Sequence, residues 1–240
     1  MKKLNNELIN IIRNGIEIGT ALDIEAIVLD STSMRGENRD SATNIIFNME
    51  DYELPFDGIG IGRTQLFKKR LAMFASPEVL YDTSDRDSQT IVSEVIIKNG
   101  RTSAGFRCQV PSRIRAPKRI KDNVIFNLTL NDDDIDRINK GINTMSSEKV
   151  IVYVEEGKAV VGISDKEGDV FTHEIEGGYT VASDDAPNSF NQTYKSKTFK
   201  TILMNYMKKD DSEILPISIT SRGVMKFQVL GIDIYLFGEA

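Results

Sequence analysis

The 240-residue chain holds 30 basic and 36 acidic residues, for a net charge of −6, and 40% of it is apolar. Its single cysteine, Cys108, excludes an internal disulfide and a cysteine-cluster metal site, and its single histidine, His173, weakens zinc and triad chemistry. No apolar run nears the roughly twenty residues that span a bilayer, and "MKKLNNELINIIRNG" lacks a signal peptide's apolar stretch and cleavage site, so a soluble, intracellular chain with no membrane partner is expected.

The first element is "LNNELINIIRNGI" (4–16), an amphipathic helix with Asn near its N-cap, an acid in its first turn and Gly at its C-terminal end. The polar run 31–40 reads as a loop, and 30–53 as a whole fits no clear element. Next comes "FDGIGIGRTQLFKKRLAMF" (56–74). Its G-x-G-x-G spacing closes neither a P-loop nor a dinucleotide fingerprint, so a short strand feeding a helix from Thr64 is expected. Phe67, Leu71 and Phe74 form the apolar face of that helix, and Lys68, Lys69 and Arg70 lie off it.

"IVSEVIIKNGRTSAGFRCQV" (91–110) reads as a hairpin turning at Asn99-Gly100. "PSRIRAPKRIKDN" (111–123), with two prolines and five basic residues, reads as an extended linker between two α+β halves. "LNDDDIDRINKGI" (130–142) then repeats the first helix at a constant offset of 126, matching Ile9 and Ile12 to Ile135 and Ile138. "EKVIVYVEEGKAVVGIS" (148–164) is a hairpin with its turn at Glu156-Gly157. A polar loop is expected over 183–194. "TFKTILMNYMKK" (198–209) follows as a basic helix, with Lys195, Lys197, Lys208 and Lys209 around it. Its Phe199, Leu203 and Tyr206 match Phe67, Leu71 and Phe74 at offset 132. The chain closes with up to three strands over 214–237, turning near Gly223 and Gly231.

Charge is unevenly placed. Residues 58–77, 95–121 and 188–209 contain no acid and hold 4, 8 and 5 of the basic residues. A strongly basic surface inside an acidic shell is one reading, and chance clustering on solvated faces is the other. "NDDDIDRINKG" resembles a calcium loop only superficially, because Ile135 and Asp136 break the ligand order and Asn143 takes the place of the closing Glu. The pair Asp184-Asp185 would suit general acid–base or Mg²⁺ chemistry but has no second constellation beside it. No metal, cofactor or enzymatic activity is expected.

The run "FNLTLNDDDIDRINKGINTMSSEKVIVYVEEGKAVVGI", followed by "KTFKTILMNYMKKDDSEILPISITSRGVMKFQVLGIDIYLF", resembles the DNA sliding clamps. These PCNA-like processivity factors include the two-domain clamps of T4-type bacteriophages, which look most similar. The resemblance implies an α+β chain of two tandem clamp domains, 1–110 and 124–240, joined by a connector at 111–123. Each domain would hold antiparallel sheets and two helices, and a homotrimer would close a six-domain ring around duplex DNA. The partners it implies are a replicative DNA polymerase and a clamp-loader ATPase, in the cytoplasm of a host cell if the protein is viral. Arg13, Lys68, Lys69, Arg70, Arg137, Lys140, Lys195, Lys197 and Lys200 become the DNA-facing candidates. Ile114, Ala116, Pro117, Tyr235, Leu236 and Phe237 become a pocket for a partner peptide. Edge strands near 102–110 and 169–175 would join subunits, with Phe106, Cys108, Val110, Phe171, His173 and Ile175 in those stretches. Cys108 and His173 read as structural there. The alternatives are a monomeric or dimeric processivity factor that forms no ring, as in herpesviruses, and a β-rich viral structural protein.

Overall fold

The computed structural model describes residues 1–117, 120, 123–155, 157–184, 186–209 and 214–239. Lys118, Arg119, Lys121 and Asp122 of the expected connector, Glu156 of the expected turn and Asp185 lie outside the described residues, as do the side chains of Lys208 and Lys209. The chain divides into two compact units, Met1–Arg119 and Ile120–Ala240.

The first unit runs β1 (Lys2–Lys3), α1 (Asn6–Ala21), β2 (Ile27–Asp30), β3 (Ser33–Glu37), β4 (Thr43–Asn48), β5 (Gly58–Ile61), α2 (Thr64–Ala72), β6 (Glu78–Arg86), β7 (Gln89–Asn99) and β8 (Thr102–Arg107), then a 3-10 turn at Pro111–Arg113. Its strands lie in the order β1-β6-β7-β5-β2-β3-β4, and β8 also pairs with β7. All pairings are antiparallel except the short β5–β7 contact at Gly58 and Ile91.

The second unit runs β9 (Val124–Asn131), α3 (Asp132–Met145), β10 (Lys149–Glu155), β11 (Lys158–Ser164), β12 (Val170–Glu174), β13 (Tyr179–Val181), β14 (Phe190–Lys195), α4 (Ser196–Lys209), β15 (Ile214–Thr220), β16 (Val224–Val229) and β17 (Ile232–Phe237). These strands form two antiparallel arrays, β17-β16-β15-β9-β13 and β12-β11-β10-β14. Both units are therefore α+β, with two helices each among the described residues.

The repeated helices start as their sequences dictate. Asn5 caps α1 by accepting from Leu8 N at 2.7 Å. Asn131 caps α3 in a reciprocal box with Asp134. The repeated glycines act differently from expectation: Gly15 and Gly141 lie inside their helices, which run on to Ala21 and Met145. A Cβ on Gly15 would fall 2.1 Å from Met34 Cε, and one on Gly141 would fall 2.6 Å from the Phe171 ring. Each glycine lets its helix lie close against a strand. The helix cost of glycine, about 1 kcal/mol, is offset by that approach. α3 ends instead on Ser146 in the left-handed conformation.

The glycines of β5 have the same logic. Gly60 pairs with Gln109, whose N–H donates to the Gly60 carbonyl at 2.8 Å. A Cβ on Gly60 would sit 2.5 Å from Gln109 O and 2.9 Å from Ile114 Cδ1, and one on Gly62 would sit 2.1 Å from the Gln109 side chain. The bare strand admits the segment that leads into the connector.

Both stretches expected to be polar loops contain strands. β3 is registered between β2 and β4, with Met34 buried. β14 pairs with β10, and its buried Tyr194 donates to Gly223 O at 2.9 Å. Single apolar anchors and sheet partners on the backbone make these strands, so apolar alternation is weak in their sequences.

Candidate nucleic-acid interface

α1 packs on α2 and α3 packs on α4, so each unit presents a groove between two helices. The α1–α2 groove, about 240 Å³, is lined by Arg13, Glu17, Lys68, Leu71 and Phe74 among others. The α3–α4 groove, about 550 Å³, is lined by Asn143, Ser147, Ser196, Lys197 and Lys200 among others.

α2 contains Lys68, Lys69 and Arg70 and no acid; α4 contains Lys197, Lys200, Lys208 and Lys209 and no acid. Acids concentrate on the first helix of each unit: Glu7 and Glu17 on α1, and Asp132, Asp133, Asp134 and Asp136 on α3. The positive charge is therefore carried by the second helix of each repeat.

Lys68 Nζ donates to Thr20 Oγ1 at 3.3 Å, and Lys200 Nζ donates to Asn143 Oδ1 at 2.5 Å. Both acceptors are neutral, and among the described residues no carboxylate pairs with either lysine. Each ammonium is thus positioned without being neutralised. Lys69 is exposed, and Arg13 is half-buried in its groove.

The other candidates separate from this set. Arg137 pairs with Glu176 at 2.9 Å, and Lys140 pairs with Asp136 one turn earlier at 2.5 Å. Lys195 lies on β14 and, with Lys197, borders a cleft shared with Lys149 and Glu239. Arg70 turns away to β8, where it donates to the Gly105 carbonyl and lies 5.6 Å from the Phe106 ring centre. Arg63, which the sequence did not single out, joins it there at 5.2 Å.

The expected joining strands are edges, but their named side chains face inward. Among the described residues, β8 pairs only with β7, and β12 only with β11. Phe106 is fully buried and meets Phe67 edge-on at 4.9 Å. Phe171 lies on Gly141, and His173 and Ile175 are buried. Cys108 and Val110 are half-buried. Burial, and secondarily Glu94, push the Cys108 thiol up to about 12, so it is a structural rather than a reactive cysteine.

Asp134 is among the most heavily bonded acids of the described residues. Its carboxylate accepts from Asn131 N at 3.1 Å, Glu176 N at 2.9 Å and Gly177 N at 2.9 Å, and its Oδ1 lies 2.7 Å from His173 Nε2. Burial alone raises its pKa. The hydrogen bonds from Glu176, Asn131, His173 and Gly177 outweigh that, and the net shift is downward. The acidic run therefore starts a helix and anchors the end of β12.

Of the proposed pocket residues, Ile114 and Pro117 are buried and Ala116 is half-buried in the first unit. In the second, Tyr235 is 8% exposed, Phe237 is half-buried and Leu236 is wholly enclosed. Leu236 is thus a core residue with no surface to offer.

No family model matches the sequence, and no curated protein does. The fold does match known structures. The proliferating cellular nuclear antigen of Entamoeba histolytica superposes with a TM-score of 0.65 at 10% identity, covering 96% of this chain and 95% of that one. The A. fulgidus PCNA, solved with the C-terminal region of FEN-1 bound, gives 0.63 at 12% identity over 96% and 95%. The C. crescentus beta sliding clamp gives 0.67 at 12% identity, covering all of this chain and 65% of that one. At these identities the likeness is one of fold: this chain has the architecture of the DNA sliding clamps.

Proposed function

We propose that this chain is a sliding clamp, a non-enzymatic processivity factor that encircles duplex DNA and tethers a replicative DNA polymerase. The observation that carries the reading is a clamp fold whose repeated, acid-free second helices, α2 and α4, hold Lys68 and Lys200 at equivalent places against neutral acceptors. A clamp must hold DNA without reading its sequence. Lysine contacts to phosphates do this, since they are independent of sequence and weaken with salt. Net negative charge elsewhere limits adhesion of DNA to the outside.

In this reading 1–110 and 124–240 are the clamp domains, and 111–123 connects them. Three copies complete six domains, and an ATP-driven loader opens the ring. Lys68, Lys69, Lys197 and Lys200, with Arg13 and Lys195 beside them, face DNA; Arg137 and Lys140 contribute less because acids already hold them. Partner peptides dock beside the connector and Phe237. The protein acts in the cytoplasm, and its two-domain length suits a bacteriophage clamp.

The test has two parts. Light scattering over a dilution series should give a mass near three times 26.9 kDa. After loading, the protein should stay on closed circular DNA and leave linear DNA by its ends. A chain that stays monomeric at high concentration while still raising polymerase processivity would favour the open, non-ring factor.

A further inference from the structure

The open edge of β8 is already occupied. Cys108 N–H donates inward to Ser93 O at 2.9 Å, so the alternation of an antiparallel ladder turns the backbone groups of Gly105 and Arg107 outward. Both outward carbonyls are met by guanidinium groups from the start and body of α2. Arg70 donates to Gly105 O, and Arg63 Nη2 lies 3.5 Å from Arg107 O. Both guanidiniums rest over Phe106, which is fixed against Phe67 on α2.

The open edge of β12 has the opposite character. Ile175 N–H donates inward to Ala159 O at 2.9 Å, so Val170, Thr172 and Glu174 turn their backbone groups outward. Asp169, Glu174 and Glu176 lie along or beside this edge, whereas residues 95–121, which contain β8, hold no acid. Glu174 pairs with Lys158 at 2.8 Å and Glu176 with Arg137 at 2.9 Å, but both pairs are exposed and can exchange at little cost.

We propose that Arg70, seconded by Arg63, is a removable guard on the β8 edge, which yields to the acidic β12 edge of a second copy of this chain. The inference rests on the ring reading above. A strand adding to β8 needs the very carbonyls that the guanidiniums hold. It displaces them with its own N–H groups, and its carboxylates then receive the freed arginines. The basic β8 of another copy repels the freed arginines, and a neutral strand leaves them to water alone, so both are disfavoured relative to the acidic β12 edge. The device thus selects a head-to-tail joint and suppresses the β8–β8 pairing to which an open strand is prone.

The guard has a direction. A hydrogen bond from guanidinium to a carbonyl is of the strong, charge-assisted kind, whereas an exposed ion pair in the finished joint adds little. Removing the arginines therefore costs the closed edge more than the joint.

Sedimentation velocity over a dilution series, on the wild type, Arg70→Gln and Arg63→Gln/Arg70→Gln, tests this. Circular-dichroism melts establish that the variants fold. The concentration of half-assembly should fall about threefold or more in the double variant. Thr172→Pro, which removes an outward N–H at an edge position that tolerates proline, should cancel that gain. An unchanged or raised half-assembly concentration overturns the guard. A gain that survives Thr172→Pro overturns β12 as the occupant. A wild type that is monomeric throughout sinks the ring reading; the guard then stands if the double variant associates and falls if it does not.

Discussion

Lys68 and Lys200 stand 132 residues apart at matching places on α2 and α4, and each ammonium is held by a neutral oxygen of the preceding helix, Thr20 or Asn143. A hydrogen bond of this kind fixes direction and leaves the charge available. That combination suits a site that must meet phosphates repeatedly and release them.

Exchanging Lys68 and Lys200 for Glu should leave the fold intact, with stability within about 0.5 kcal/mol of wild type, and should abolish processive synthesis. The corresponding alanine variant should bind DNA more weakly and flatten the dependence of log K on log salt by about 0.9 for each lost contact. Alanine at Arg137 and Lys140, which already pair with Glu176 and Asp136, should change the slope less. Equal effects from both pairs would show that ion pairing does not sort these residues.

Gly60→Ala should destabilise the first unit by about 1–3 kcal/mol, because its new Cβ meets the Gln109 carbonyl at 2.5 Å, and backbone cannot swing aside. Gly105→Ala is the control, since its nearest neighbour is the end of the Glu94 side chain at 3.0 Å. Thermal denaturation of the two variants checks the contrast.

Asp134 couples folding to acid. Its native pKa lies below the ordinary 3.8, so its contribution is complete above that value and is lost as pH falls through the lower native one. Asp134→Asn keeps the shape but cannot accept on both sides of the group. It should cost about 3 kcal/mol at neutral pH and make acid unfolding between pH 4 and the acid transition shallower, as followed by tryptophan-free probes such as far-ultraviolet circular dichroism.

Cys108 should resist alkylation in the native protein at pH 8. With its thiol pushed up to about 12, only about one part in ten thousand is thiolate. Denaturant should restore the rate of an ordinary cysteine, and prompt native labelling would contradict the burial.

Phe237→Ala should weaken binding of a polymerase-derived peptide while leaving the melting transition nearly in place, because the ring is only half-buried. Leu236→Ala should instead lower stability by about 2–5 kcal/mol, as its side chain is enclosed. Calorimetric titration and thermal melts separate the two.

The repeat was legible because capping and helix packing act locally: Asn5 and Asn131, the isoleucines and the two glycines recur at one offset. The glycines' job was not legible, since Met34 and Phe171 reach them from distant strands. The hairpins at Gly100, Gly157, Gly223 and Gly231 announced themselves through residues with positive φ. β3 and β14 did not, because their neighbours, rather than their own apolar content, make them strands. The site shows the same divide. "KKR" marks a basic helix, yet Lys68 and Arg70 are about 200° apart around it, and only the position of β8 reveals that the arginine serves an edge rather than a groove.

The bare surface of β5 has a consequence for how such a chain can vary. The segment leading out of the first unit is seated by the absence of side chains at Gly60 and Gly62, which admits Gln109 and the buried side chain of Ile114. The point where the chain departs is thus held by a strand nearly fifty residues upstream of Gln109. A lesion in that strand would surface as a misdirected connector, in a region whose own sequence is untouched.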